Sequence, residues 1–187
     1  MKAYIVTEED LDRELLELLL PKELSEDVTI VTASGVSGAT SMARSLIALR
    51  RVPVALVVDA NSISPDLVRE RSLGLRELLQ SVSVGTPAEV FLAVPEMEEI
   101  YFQVPRLLDR VLKIDIPETL SIMAEARPKD ALSRLLGSHE TIKSVPQLLS
   151  ALAPNDIEEL RRVKPISDLQ EFLLHALSEA NTGVARA

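Results

Sequence analysis

Three stretches of this chain read as buried β-strands that run straight into acidic residues. Residues 3–7 lead to Glu8, residues 54–58 to Asp59, and residues 90–94, through a turn at Pro95, to Glu96 and Glu98. A fourth apolar stretch, 28–33, runs instead into Ser34-Gly35-Val36-Ser37-Gly38. Periodic helical segments separate the four, and strand–helix alternation of this kind predicts a parallel α/β sheet. In such a sheet the C-terminal strand ends share one edge, and ligands bind there. Three carboxylates and a small-residue loop are therefore expected in one place. Carboxylates set together repel unless a positive charge lies among them, most often a divalent cation held by oxygen ligands.

The spacing predicts a helix over 9–20, with Leu11, Leu15, Leu16, Leu18 and Leu19 turned inward and Pro21 as its stop. Further helices are expected over 39–51 and 66–82, the latter with Ser64 as N-cap and Pro65 in its first turn. The unbroken apolar run at 54–58 suits a central parallel strand covered on both faces. After Glu98 the alternation ends. Helical patterns follow at 98–112 (with a break near Pro105), 117–124, 129–136, 145–152, 155–162 and 167–179. The expected architecture is a four-stranded parallel sheet flanked by helices over 1–100, a helical lobe packed on it over 101–180, and a flexible tail over 181–187.

Composition removes several classes of function. Cysteine is absent, which excludes disulfides, thiolate chemistry and Cys-ligated zinc and fits a reducing compartment. Aromatics make up 3% of the chain and Trp is absent, so stacking platforms for single-stranded nucleic acid are not expected. The N-terminus has no basic segment followed by a long apolar one, and no apolar run reaches the roughly 18 residues of a membrane span. A soluble, cytoplasmic protein with no membrane association is the expectation. The net charge of −9 makes the chain a poor stand-alone binder of nucleic acid, because such binding relies on cations that displace counterions. The arginines at 50–51, at 69, 71 and 76, and at 161–162 read as solvated helix faces. A partner protein would supply much of the grip on any nucleic-acid substrate.

Among the acidic residues, Asp59 stands out. A carboxylate directly after a buried strand is costly unless it is paired, hydrogen-bonded or metal-bound. If strand geometry continued, Asn61 would share its face, and the pair would offer oxygens suited to Mg²⁺ or Ca²⁺. Glu8 at the first strand tip and Asp12 one helical turn later could face the same cavity. Acids in a first helical turn also favour the positive end of the helix dipole, which by itself accounts for Asp10, Asp12 and the cluster Glu96, Glu98 and Glu99. Ser34, Gly35, Ser37 and Gly38 could line the site or cradle a phosphate, although the segment is neither a Walker A loop nor a G-x-G-x-x-G fingerprint. A tight strand-to-helix turn explains the glycines equally well. His139 and His175 have neither metal-ligand spacing nor an adjacent nucleophile motif, so a triad hydrolase has no support.

These residues together resemble a TOPRIM domain, the metal-dependent α/β module of topoisomerases, DnaG-type primases and OLD-family (overcoming lysogenization defect) nucleases. That family carries a Glu at its first strand tip, usually followed by Gly, and an Asp-x-Asp at its third. Glu8 and Asp59 match; Glu9 stands in place of the Gly and Asn61 in place of the second Asp. More narrowly, the chain is similar to small stand-alone TOPRIM-like proteins of bacterial defence operons. Pro95-Glu96-Met97-Glu98 and Pro128-Lys129 carry that likeness. The resemblance implies one or two Mg²⁺ or Mn²⁺ ions held by Glu8, Asp59, Asn61 and Glu98, with Asp12 in support and with Glu8 and Asp59 catalytic. It implies phosphodiester chemistry on nucleic acid, with Glu8 as general acid/base, and allows self-association. A catalytically degenerate module that binds and regulates a partner such as an ATPase is the alternative, and a nucleotide or phosphate binder using residues 34–41 a third.

Overall fold

Four parallel strands in the order β2-β1-β3-β4 form the centre of the computed structural model, which describes residues 2–184, with side chains from 2 to 179. The strands are β1 (Ala3–Thr7), β2 (Val28–Thr32), β3 (Val54–Asp59) and β4 (Ala88–Ala93), each within two residues of its sequence-based bounds. Strand β3 lies between β1 and β4 and is buried from Val54 to Val58, as its unbroken apolar run requires.

Because side chains alternate along a strand, the sheet divides its residues between two cores. Val6, Val54, Leu56, Val58 and Val90 face α3 (Gly35–Arg50) and α4 (Pro65–Gln80), whose Ala43, Ile47, Leu75 and Leu79 complete that layer. Ala3, Ile5, Ala55, Val57 and Phe91 face the opposite way, toward α1 (Asp10–Leu19) and the helices that follow β4. These are α5 (Ile100–Gln103), α6 (Leu107–Leu112), α7 (Glu118–Ala124), α8 (Pro128–Ser138), α9 (Val145–Ala151), α10 (Pro154–Arg161) and α11 (Ile166–Val184). A short helix, α2 (Lys22–Ser25), links α1 to β2. The break expected near Pro105 separates α5 from α6. The expected tail overlaps α11 as far as Val184, and residues 185–187 lie outside the described residues.

One continuous apolar core joins sheet residues to the later helices. Leu107, Leu132, Leu160 and Leu173 are all essentially inaccessible to solvent and belong to the same cluster as Ile5 and Val57. Phe172 on α11 meets Phe91 on β4 with ring centroids 5.7 Å apart. The carbonyl end of α1 is closed from far along the chain: Arg161 donates to Leu19 O at 2.8 Å and to Leu20 O at 3.2 Å, and Gln170 donates to Leu19 O at 3.3 Å. A guanidinium there answers both the unsatisfied carbonyls and the negative end of the helix dipole. No helix among the described residues is long and apolar enough to cross a membrane.

The shared core predicts one cooperative unfolding transition for the sheet and the later helices. Leu173→Ala, in the interior of α11, should lower stability by about 2–5 kcal/mol while urea unfolding followed by circular dichroism stays monophasic. Two separated transitions would contradict this.

Candidate functional site at the strand edge

At the C-terminal edge of the sheet, β1 stops at Thr7 while β3 continues to Asp59. Thr7 is fully buried; its Oγ1 lies 3.2 Å from Thr32 Oγ1 and donates to Glu9 O, and so fixes the turn out of the strand. The β1–β3 register ends at Thr7 opposite Val57. The next β3 amide aimed at β1, that of Asp59, has no backbone carbonyl to meet, and Glu8 Oε1 accepts from it at 3.0 Å. Asp59 repeats the device one strand over, where its Oδ1 accepts from the amide of Met97 at 2.9 Å. Met97 opens the 3-10 turn Met97–Glu99, which carries Glu98 into the site.

The acids gathered there are electrostatically coupled. Asp12 and Glu98 are 8% and 7% exposed, unusually low values for carboxylates. Burial, followed by the charges of Glu98 and Glu9, pushes Asp12 up to about 7. Burial and the charges of Asp12 and Glu98 push Asp59 up to about 8, against the opposing pull of the Met97 amide. Burial also raises Glu98. Dipole stabilisation in a first helical turn therefore accounts for exposed Asp10, which pairs with Arg13 at 3.5 Å, but not for Asp12.

The positive charge in this cluster is Lys129, in the first turn of α8. Its Nζ lies 2.6 and 2.7 Å from the two carboxylate oxygens of Glu9, and its backbone amide donates to Glu96 Oε2 at 3.0 Å. Partial burial works to lower the lysine pKa; the hydrogen bonds it donates to Glu9 and the charges of Glu98, Glu9 and Asp59 outweigh it, and the net shift is upward. Glu9, Glu96 and Lys129 are thus parts of the site that sequence reasoning did not assign to it. The Pro128-Lys129 helix start was the available signal, but a contact across 120 residues has no local signature.

Two expectations about geometry are corrected. Asn61 does not extend the β3 alternation: the strand ends at Asp59, and Asn61 turns into the left-handed region (φ 53°) and is exposed. Asparagine tolerates that conformation, which lets its amide reach Pro95 O at 2.7 Å. The Ser/Gly segment is not a loop through Gly38 either. Gly35, at φ 69°, reverses the chain in one step, so α3 begins there; Ser37 and Gly38 lie in its first turn, and Ser34 is the N-cap residue with no side-chain capping bond. No hydrogen bond among the described residues joins Ser34, Gly35, Ser37 or Gly38 to the carboxylates.

Glu8, Asp12, Asp59 and Glu98 thus share one edge, all as oxygen donors. Among the described residues, no three acidic or imidazole groups are drawn tightly enough together to hold a metal. Glu8 and Asp59 are instead each committed to a backbone amide. A cavity of about 870 Å³ lies elsewhere, along the free edge of β4 between α4 and α11, where Arg69, Leu92, Gln103 and Phe172 contribute to its walls.

The sign of the pH dependence follows from the raised acids. A carboxyl whose folded pKa exceeds its unfolded value binds more protons folded than unfolded between the two, so stability falls as pH rises through that window. The window runs from 3.8 to about 7 for Asp12 and to about 8 for Asp59. Asp59→Asn should therefore gain stability relative to wild type as pH is raised from 5 to about 9, measured by urea unfolding across pH. A difference independent of pH would rule out the coupled-acid description.

No protein-family model matches this chain, and no curated protein matches it. Two solved structures do, both of the C-terminal region of the Xanthomonas campestris pv. campestris OLD protein and both at 14% sequence identity. The one phased with iodine gives a TM-score of 0.58 over 96% of this chain and 97% of that one; the one phased with mercury gives 0.48 over the same shares. At that identity the likeness is one of fold. This chain shares the architecture of the C-terminal region of an OLD protein, a parallel sheet between helical layers with Glu8, Asp12, Asp59 and Glu98 along its carboxyl edge.

Proposed function

We propose that this chain is a TOPRIM-like, nuclease-type module that handles phosphodiesters with the help of a divalent metal. The observation that carries the reading is the meeting of Glu8, Asp12, Asp59 and Glu98 at the carboxyl edge of a sheet whose fold matches that of an OLD C-terminal region. An all-oxygen donor set in which burial and neighbouring acid charges raise Asp12 and Asp59 fits a hard cation such as Mg²⁺ or Mn²⁺, which would relieve the repulsion. Glu8, Asp59 and Glu98 would hold one or two ions once their side chains turn toward one another from the positions they take here, where Glu8 and Asp59 accept from backbone amides. Asp12, buried beside them, is a better fourth donor than exposed Asn61. A bound ion would polarise a phosphodiester oxygen. Within the chain, Glu8 sits at the strand tip as general acid/base, and Lys129 offers a cation to a substrate phosphate once it parts from Glu9. Nucleic acid is the proposed substrate, a prokaryotic defence system the proposed setting, and the cytoplasm the proposed location.

A second reading rests on the Glu9–Lys129 pair and on Asn61, each of which departs from an open acidic site. Under it the module has lost catalysis and regulates a partner such as an ATPase.

Calorimetry with Mn²⁺ and Mg²⁺ separates the two. Under the first reading wild type binds metal, Glu8→Ala and Asp59→Ala do not, and Glu8→Gln slows metal-dependent cleavage of nucleic acid by about 10²–10⁴-fold. A folded wild type that binds neither ion would refute the metal-dependent reading and leave the partner-regulating one.

A further inference from the structure

Tyr101, on α5, is 2% exposed, and its phenolic oxygen is buried without a hydrogen-bond partner among the described residues. Leaving such a group unsatisfied is costly, and phenylalanine would fill the same volume without that cost. Asp12 and Glu98 share a cavity wall with it. All three residues line one cavity of about 10 Å³, walled otherwise by Leu11, Leu15, Met97 and Val145.

Among the described residues, no other residue donates a hydrogen bond to the side chain of Asp12 or Glu98, and their oxygens, unlike that of the phenol, are not sealed from solvent. A buried water needs a space of about 10–15 Å³ and two to four polar partners. This cavity meets both conditions, and the hydrogen count closes: one acceptor for the phenol O–H, and two donors for two carboxylates.

We propose that a single buried water bridges Tyr101 Oη to the carboxyls of Asp12 and Glu98, and that Tyr101 is thereby a positioning residue that fixes the rotamers of both. The bridge draws on the interior side of the carboxylates and leaves their other oxygens available to the strand edge. It stands apart from any metal; its consequence for metal affinity rests on the function proposed above. Partners that orient metal-binding side chains in this way are typically worth about 10–100-fold in affinity.

The test is nuclear magnetic resonance on wild type and Tyr101→Phe in metal-free buffer, followed by Mn²⁺ calorimetry on both. Expected are a long-lived water cross-peak to the Tyr101 ring in wild type and its loss in the variant. The Hα–Hβ couplings of Asp12 and Glu98 should move from single-rotamer to averaged values. The Mn²⁺ dissociation constant should rise about 10–100-fold. A wild-type protein without that water overturns the proposal whether or not the variant folds. Unchanged couplings, or an unchanged dissociation constant where wild type binds Mn²⁺, overturn the positioning role. If wild type binds no Mn²⁺ yet shows the water and the coupling change, the metal reading fails and the bridge stands.

Discussion

The carboxyl edge of this protein is held by acids that accept hydrogen bonds from the backbone of the next element. Glu8 receives the amide of Asp59, Asp59 that of Met97, and Glu96 that of Lys129, whose ammonium returns to Glu9 beside the starting point. The circuit joins β1, β3, the turn after β4 and the start of α8, and it closes on itself. Each link takes over where a strand ladder runs out: β1 ends before β3 does, and a side chain supplies the missing acceptor. Where the accepting acid is ionised, a bond of this kind is about twice as strong as a neutral one. They set the height at which the strand tips stop, and with it the spacing of every group at the edge.

The same carboxylates cannot serve freely as caps and as ligands. An oxygen engaged by an amide is well placed but partly spent, and a buried carboxylate surrounded by others is reluctant to ionise. Asp12 and Asp59 carry that conflict in their raised pKa values, up to about 7 and about 8. Lys129 offsets part of it, but its closest contacts are with Glu9, so it neutralises the rim more than the interior. The arrangement is strained in the electrostatic sense, and strain of this kind concentrates where proteins do chemistry.

Most of the sheet was legible in the sequence because its signals are local. Apolar runs of five or six residues, punctuated by Pro21, Pro53 and Pro95, fix strands and helix ends almost unaided, and the break at Pro105 follows from the ring that cannot donate. Legibility fails where one residue's backbone decides. Gly35 turns the chain so sharply that the expected loop becomes helix, and Asn61 leaves the strand plane that was to carry it beside Asp59. It fails again where charge and distance decide. Asp10 and Asp12 look alike in sequence, two acids in one helical turn, yet one is exposed and the other buried against Glu98. Only the fold could distinguish them, and only the fold could bring Lys129 to Glu9 and Glu96.

The closure of α1 by Arg161 and Gln170 reaches further than one helix end. Helix α1 carries Asp12 at its other end, so residues near the C-terminus hold an acid near the N-terminus in place. The strand-and-acid pattern in the first hundred residues thus has a dependency that its own sequence does not reveal. In evolutionary terms, the last helices are not a detachable accessory that could be exchanged between proteins while the acidic edge is kept. Recombination within this fold would have to carry α10 and α11 along with β1 and α1, and drift in one would have to be matched by drift in the other.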